Sequence, residues 1–267
     1  MSTVTTTIPE RVIARGTAWR TVLGPIVLGV VMIGLWQAIV DGFGIDEYIV
    51  PSPTDIAAQI RDNIGSIVDG SLRTGLNALI GLVVGGLIGI LAAIVAGVWR
   101  IFDTVVAPIV AALAVMPIVA LAPVLYTMYG ADKETARQIV AAIAAIVPVY
   151  ITTLRGLRQV RPVHRDLMRA YAASARQQQL AVTLPTAAPY VFTGLRIASS
   201  LAVISALVAE YFGGPVSGLG KSITSSAASS NYSLAWAYVA GAIVLGLVFY
   251  CAALAIELYF TRHRPGS

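Results

Sequence analysis

Residues 155–189 read RGLRQVRPVHRDLMRAYAASARQQQLAVTLPTAAP and stand between long hydrophobic segments. Arg155, Arg158, Arg161, Arg165, Arg169 and Arg176 fall in this stretch against one acid, Asp166. It is too long and too patterned for a simple turn. It reads as helix-forming. A basic, helix-forming island between apolar runs is legible as a loop between membrane spans. Such a loop fixes an orientation and offers a surface to a partner.

The rest of the chain agrees with a membrane setting. Of 267 residues, 57% are hydrophobic and 12% charged, with a mean hydropathy of +0.81. A soluble domain carries about twice that charged share. The net charge of +5 comes from sixteen arginines and two lysines, Lys133 and Lys221. Where the arginines sit explains the excess better than nucleic-acid binding does. One cysteine, Cys251, excludes an internal disulfide and any cysteine metal cluster.

A helix needs roughly 20 apolar residues to cross a bilayer. Six segments meet or approach that, at about 22–40, 76–98, 104–129, 137–154, 190–212 and 235–257. The first follows a Thr-rich tail, has no small-residue cleavage site after it, and reads as a retained span. In the second, Gly81, Gly85 and Gly89 recur every fourth residue, a spacing that admits close helix packing. The third carries Pro108, Pro117 and Pro123, which interrupt backbone bonding and predict a helix facing the bundle interior or a pathway. In the loop 41–73, Ile56, Ile60, Ile64 and Ile67 recur at helical spacing and predict a short amphipathic helix at the membrane surface.

Basic residues accumulate in cytoplasmic loops. The N-tail, the loop at Arg100, the island and the C-tail hold twelve. The opposite loops hold five, Arg61, Arg73, Lys133, Arg137 and Lys221, diluted by acids. Both termini and the island are therefore expected in the cytoplasm. The expected layout is a tail over 1–20, a transmembrane domain over 21–260 with the loop 155–189, and a tail over 261–267. Trp19, Trp99, Trp236 and Tyr259 flank spans and read as interface anchors.

The island closes on Val182-Thr183-Leu184-Pro185, then Pro189, then Gly194-Leu195-Arg196. This resembles the cytoplasmic signature of binding-protein-dependent ABC importer permeases: Glu-Ala-Ala, three residues, Gly, nine residues, Ile-x-Leu-Pro. Anchored on Pro185, the pattern places Asp166 at the Glu, Met168 at the second Ala, Ala172 at the Gly and Val182 at the Ile. Trp36-Gln37, Pro51-Ser52-Pro53, Met116-Pro117 with Ala120 and Pro123, Gly130, Ala209-Glu210 and Gly218-Leu219-Gly220 resemble the nitrate/sulfonate/taurine-type subfamily. Two departures stand out. Ala172 lacks the freedom of Gly to take a positive φ, so either the turn is helical or the bend lies nearby, for example at Ala173-Ser174. Asp166 keeps the family's charge on a shorter side chain.

The resemblance implies an all-α integral membrane protein of about six spans with the type I ABC importer permease fold. It implies a non-catalytic subunit in the bacterial cytoplasmic membrane, binding no cofactor itself, with ATP and Mg on a partner ATPase. The chain has no Gly-rich phosphate loop ending in Gly-Lys-Ser/Thr. Implied partners are two ATPase subunits, a second permease copy or homologous permease, an extracytoplasmic substrate-binding protein and the lipid bilayer. A short helix within about 166–180 would seat on the ATPase through Asp166, Leu167, Met168, Arg169, Tyr171, Ala172, Ala173, Ser174, Arg176 and Leu180. Pathway or gate residues are Met116, Pro117, Ala120, Pro123 and Glu210, an acid near the outer end of its span. Pro185, Pro189, Gly194 and Arg196 are structural. Nitrate, a sulfonate such as taurine, or a pyrimidine-type precursor are the substrates implied. The competing reading is an ATP-independent secondary transporter or channel, which would want ion-coupling groups at mid-depth, and these are scarce. An intramembrane enzyme would need catalytic groups, and His164 and His263 pair with no nucleophile.

Overall fold

The computed structural model describes residues 18–213 and 218–262, with side chains from Leu23 onward except Val119. The tail over 1–17, the Trp19 side chain, His263 and the rest of the C-tail lie outside the described residues, as do residues 214–217. Among the described residues the elements are all helical. The chain divides into two compact units at Asp55–Ile56.

The first unit holds α1 (Ala18–Phe43). Its flank from Leu23 to Leu35 is exposed and apolar, as a lipid-facing helix requires. Near its end the amide of Gln37 donates to Asp41, and the Thr54 N–H donates to Gln37 Oε1 at 3.1 Å. Ser52 donates to Asp55 at 2.6 Å, so the Pro51-Ser52-Pro53 segment is held by its own polar groups at the start of α2 (Pro53–Asp62).

The second unit is a bundle centred on α3 (Ile64–Val98), α6 (Thr135–Arg158) and α9 (Leu184–Tyr211), with α11 (Tyr232–Thr261) against it. The amphipathic helix expected from the isoleucine spacing stops at Asp62. Ile64 and Ile67 belong instead to α3, which starts twelve residues before the predicted span. Thirty-five residues of helix reach about 50 Å, well beyond a hydrocarbon core of roughly 30 Å. Asp69 and Arg73 therefore lie on a helical extension, not in a loop.

Small residues build the centre. A side chain on Gly81, Gly85 or Gly89 would collide with Ala141, Ala142 or the Ile146–Val149 stretch of α6. The glycine stripe thus serves packing within this chain. On α9, Ala198, Ala202, Ala206 and Ala209 are wholly buried at helical spacing. Gly194 meets Thr152 and the backbone of Pro148 and Val149. Lipid offers no hydrophobic gradient to drive helices together, so backbone approach and dispersion contacts hold such a bundle. The large apolar side chains point outward: Ile243, Val244, Leu247 and Val248 of α11 are more than half exposed.

Among the described residues five helices are long and apolar enough to span a membrane: α1, α3, α6, α11, and the run from 175 to 211 that ends in α9. The third predicted span, 104–129, is two pieces. The first is α4 (Arg100–Val115) and the second α5 (Leu121–Tyr129). Between them Met116 is extended, at φ −68° and ψ 129°, and a single 3₁₀ turn covers Ile118–Ala120.

Candidate functional site

Two regions concentrate polar chemistry, at opposite ends of α9. The first is the island. It folds as α7 (Pro162–Ala170), a turn, α8 (Ala175–Gln178) and a π-helical turn over Gln179–Thr183 that runs on into α9. Pro162 opens α7, where a missing N–H costs nothing. The single short helix expected within 166–180 is thus two helices, the first beginning at 162.

Ala172 decides the turn. Its φ is +52°, the left-handed region that normally selects glycine. The Ala173 N–H donates to Met168 O at 3.0 Å and the Ala172 N–H to Arg169 O at 2.9 Å. These are the two bonds of a Schellman C-cap, with Ala172 in the left-handed position. The turn is therefore neither helical at Ala172 nor displaced to Ala173-Ser174. The alanine takes up the conformation glycine would have. Ser174 then caps α8 reciprocally: the Gln177 N–H donates to Ser174 Oγ, and the Ser174 N–H to Gln177 Oε1.

No residue of α7 is buried. Val163, Leu167 and Tyr171 lie 59%, 53% and 77% exposed along one side. Met168 is half-buried. Together with His164 and Leu167 it faces Ala181, Val182, Pro185 and Thr186 across a cleft of about 300 Å³. Arg169 pairs with Asp166 at 3.6 Å, both exposed, a contact of little stabilising value. Ala172, Ser174, Arg176 and Leu180 are exposed, and Ala173 is half-buried. Pro185 stands in the first turn of α9 and Pro189 inside it. Arg196, one turn beyond Phe192, pairs with Glu257 of α11 at 3.2 Å and lies over the Tyr250 ring. Thr193 donates to the same carboxylate at 2.8 Å.

The second region lies at the far end of the bundle. Glu210 is wholly buried. Its carboxylate accepts from Thr74 Oγ1 at 2.9 and 3.0 Å and from the Gly220 N–H at 2.8 Å, and lies 3.7 Å from Arg137 Nη1. The Gly220 amide belongs to the first turn of α10 (Leu219–Ala228), where orphan N–H groups favour an anion. Gly218, at φ +119°, and Gly220 leave no room for a side chain beside this carboxylate.

Arg137, also wholly buried, pairs with Glu134 at 2.6 Å and donates from Nε to Tyr126 Oη at 3.3 Å. Tyr126 donates in turn to Ala209 O at 3.2 Å. Asn77 bridges Glu134 and Gln138 at 2.7 and 3.0 Å. Five helices meet at this network: α3, α5, α6, α9 and α10. Sequence reasoning singled out Glu210 but counted Arg137 as a loop charge. The signal available was Glu134 and Arg137 at i, i+3 where an apolar helix begins, a spacing that pairs on one helix face.

The remaining pathway candidates lie on the broken span. Met116 is half-buried, and Pro117, Ala120 and Pro123 are exposed in the single chain. The opposite side of α5 packs inward through Ala122 and Tyr126. Among the described residues no cluster of His, Cys, Asp or Glu could hold a metal ion.

Long apolar helices around a core of small residues, with one broken span and an exposed basic helix–turn–helix, define a multi-pass membrane protein of the transport type. The chain belongs to the family described as binding-protein-dependent transport system inner membrane component, whose model matches residues 85–263. It is the non-catalytic, membrane-spanning permease subunit of an ABC importer. The riboflavin transport system permease protein RibX of Chloroflexus aurantiacus is 29% identical over 91% of this chain and 91% of its own length. The formylaminopyrimidine transport permease protein ThiX of Halalkalibacterium halodurans is 28% identical over 72% of this chain and 76% of its own. A chain of the MetNI methionine ABC transporter, solved in an inward-facing conformation, shares the fold with a TM-score of 0.65. It is 18% identical over 75% of this chain and 99% of that one.

Proposed function

We propose that this chain forms half of a solute pathway in a bacterial cytoplasmic membrane and receives force from a separate ATPase at residues 162–183. The observation that carries the reading is α7. A helix that buries none of its residues, yet presents Val163, Leu167 and Tyr171 in a row, is finished only by a partner. Asp166, Arg169 and Arg176 border that ridge and supply charge to match acids and bases on the ATPase. Ala172, Ala173 and Ser174 set the angle between α7 and α8, and Leu180 extends the apolar surface toward α9. ATP and Mg belong to the ATPase, of which two copies serve two permease chains.

Met116, Pro117, Ala120 and Pro123 line the pathway on the face of the broken span that this chain leaves open. Glu210 supports that wall from behind, through the network that also holds α10. Both termini and the island are cytoplasmic, and a substrate-binding protein docks at the end bearing α10. The tail 1–20, the domain 21–260 with its loop 155–189, and the tail 261–267 follow from this orientation. The cargo is a small solute of the nitrate, sulfonate or pyrimidine-precursor kind. The subfamily resemblance supports that set, and the formylaminopyrimidine relative fits its last member.

The test is coupling. In the assembled transporter in nanodiscs, Leu167→Asp and Ala172→Glu leave the permease inserted but abolish the stimulation of ATP hydrolysis by loaded binding protein. Stimulation equal to that of the parent overturns the docking reading.

A further inference from the structure

The two halves of the broken span are anchored separately, at the two ends of one helix. At the island end, Asp103 in the first turn of α4 accepts from Arg158 Nη2, in the last turn of α6, at 2.6 Å. Phe102, Val106 and Val110 pack there against Ala93, Ala96, Tyr150 and Leu154. At the far end, Tyr126 of α5 takes its hydrogen bond from Arg137, in the first turn of α6. Ala122 and Tyr126 pack there against Ala136, Val140 and Ala209. Among the described residues the halves share neither an ion pair nor a core cluster. Arg137 and Arg158 are 21 residues apart (158 − 137) on α6, or about 30 Å along a helix, which is roughly the thickness of the hydrocarbon core.

The chain between the anchors interrupts the helical backbone of the span. Met116 is extended and Pro117 has no N–H to donate. One 3₁₀ turn, closed by the Ala120 N–H on Pro117 O at 2.9 Å, is all that joins the two helices. Interrupted backbone at membrane depth persists only beside protein or a water-filled cavity. Hinges are commonly a few element-terminal residues that absorb a change in φ and ψ.

We infer that Arg137 and Arg158 are positioning residues for transport. Each holds one half of the broken span to its own end of α6, and Met116–Ala120 is the joint on which the halves move relative to each other. The inference rests on the permease reading and adds the place where the pathway wall bends. Tyr126 and Asp103 are the parts of each anchor that can be altered with least disturbance.

The experiment uses the assembled transporter in nanodiscs with Cys251→Ser and spin labels at Val105→Cys on α4 and Met128→Cys on α5. Without nucleotide the label distance is narrow, and trapping ATP with vanadate shifts it. Asp103→Asn, near in size and uncharged, broadens it, and the exchange Asp103→Arg with Arg158→Asp narrows it again. Tyr126→Phe broadens it independently by removing one hydroxyl. Transport falls up to about fivefold for Asp103→Asn, as befits a half-exposed pair. It falls about threefold or more for Tyr126→Phe, whose hydroxyl is buried in a span. Restored transport in the exchange variant separates positioning from mere stability.

A distance that vanadate leaves unchanged while the parent transports overturns the joint. Widths in both single variants equal to the parent's overturn the anchors. The nucleotide-free distances test the anchors whatever the ATPase does, so loss of coupling in the parent would strike the docking reading alone. Should Tyr126→Phe assemble poorly, the half-exposed Asp103–Arg158 exchange still decides the question.

Discussion

Arg137 and Glu210 form an ion pair at 3.7 Å in which neither side chain reaches solvent. The geometry is that of a charge network rather than an isolated bridge, because Glu134, Thr74, Tyr126 and the Gly220 amide complete it. Removing one member of a buried pair leaves the other charged and unpaired, which costs about 3–5 kcal/mol. Arg137→Met should lower the stability of the purified protein by that order. Glu210→Gln should cost less, since its amide oxygen still accepts from Thr74 and Gly220. Denaturant unfolding in detergent measures both. Equal small losses would mean that the pair carries no weight.

Ala172 adopts a conformation that costs an L-residue, unlike achiral glycine, roughly 1–2 kcal/mol to hold. Ala172→Gly should strengthen the cap. The amide of Ala173, bonded to Met168 O, should then exchange its hydrogen about fivefold more slowly or better. Ala172→Val should speed it. Hydrogen exchange over 167–174 in the assembled complex reads the effect, and an unchanged rate in both variants would remove the left-handed cap from the account.

Gly85 faces the Ala142 carbonyl across the closest approach of α3 and α6, and a Cβ there would lie inside contact distance of the backbone. Gly85→Val should therefore force the helices apart and sharply reduce the yield of monodisperse protein. Gly246→Ala, where nothing lies within 4 Å, should leave the yield unchanged. Size-exclusion profiles after matched expression give the comparison. Similar profiles would show that the stripe tolerates bulk.

The proposed orientation puts Ser174 and Ser229 on opposite sides of the membrane, both exposed. With Cys251→Ser, a membrane-impermeant maleimide should label Ser229→Cys once the outer surface of the inner membrane is reached. It should label Ser174→Cys only after that membrane is opened. The reverse pattern would invert the topology.

The fold was largely legible because hydrophobic length is additive along the chain. Five of the six predicted spans fall on continuous helix to within a residue, and the error at α3 arose because a helix can outrun the bilayer while hydropathy reports only the immersed part. The broken span shows where reading stops. Pro25, Pro108, Pro148 and Pro189 all remain inside helices, whereas Pro117 stands at an interruption. A proline frees a carbonyl, and whether the helix then parts depends on neighbours that periodicity does not reveal. Arg137 was misplaced for a related reason. A charge count assigns each residue to a loop or a span, whereas burial depends on the partners the fold brings to it, here Glu134 at the start of its own helix and Glu210 from α9. At Ala172 the family register located the turn correctly, but composition alone argued against the backbone that the surrounding hydrogen bonds impose.

From Ala175 to Tyr211 the backbone is helical without interruption, passing through the π-helical turn whose Leu184 N–H reaches Gln179 O. Rotation about this rod is therefore indexed by residue count. Inserting or deleting one residue between Gln179 and Thr183 would swing the Val163–Leu167–Tyr171 ridge by about 100° relative to the membrane-embedded face of α9. An exposed surface segment ordinarily tolerates changes in length. This one has the arithmetic of a gear tooth, and its number of residues is as constrained as the identity of any side chain it carries.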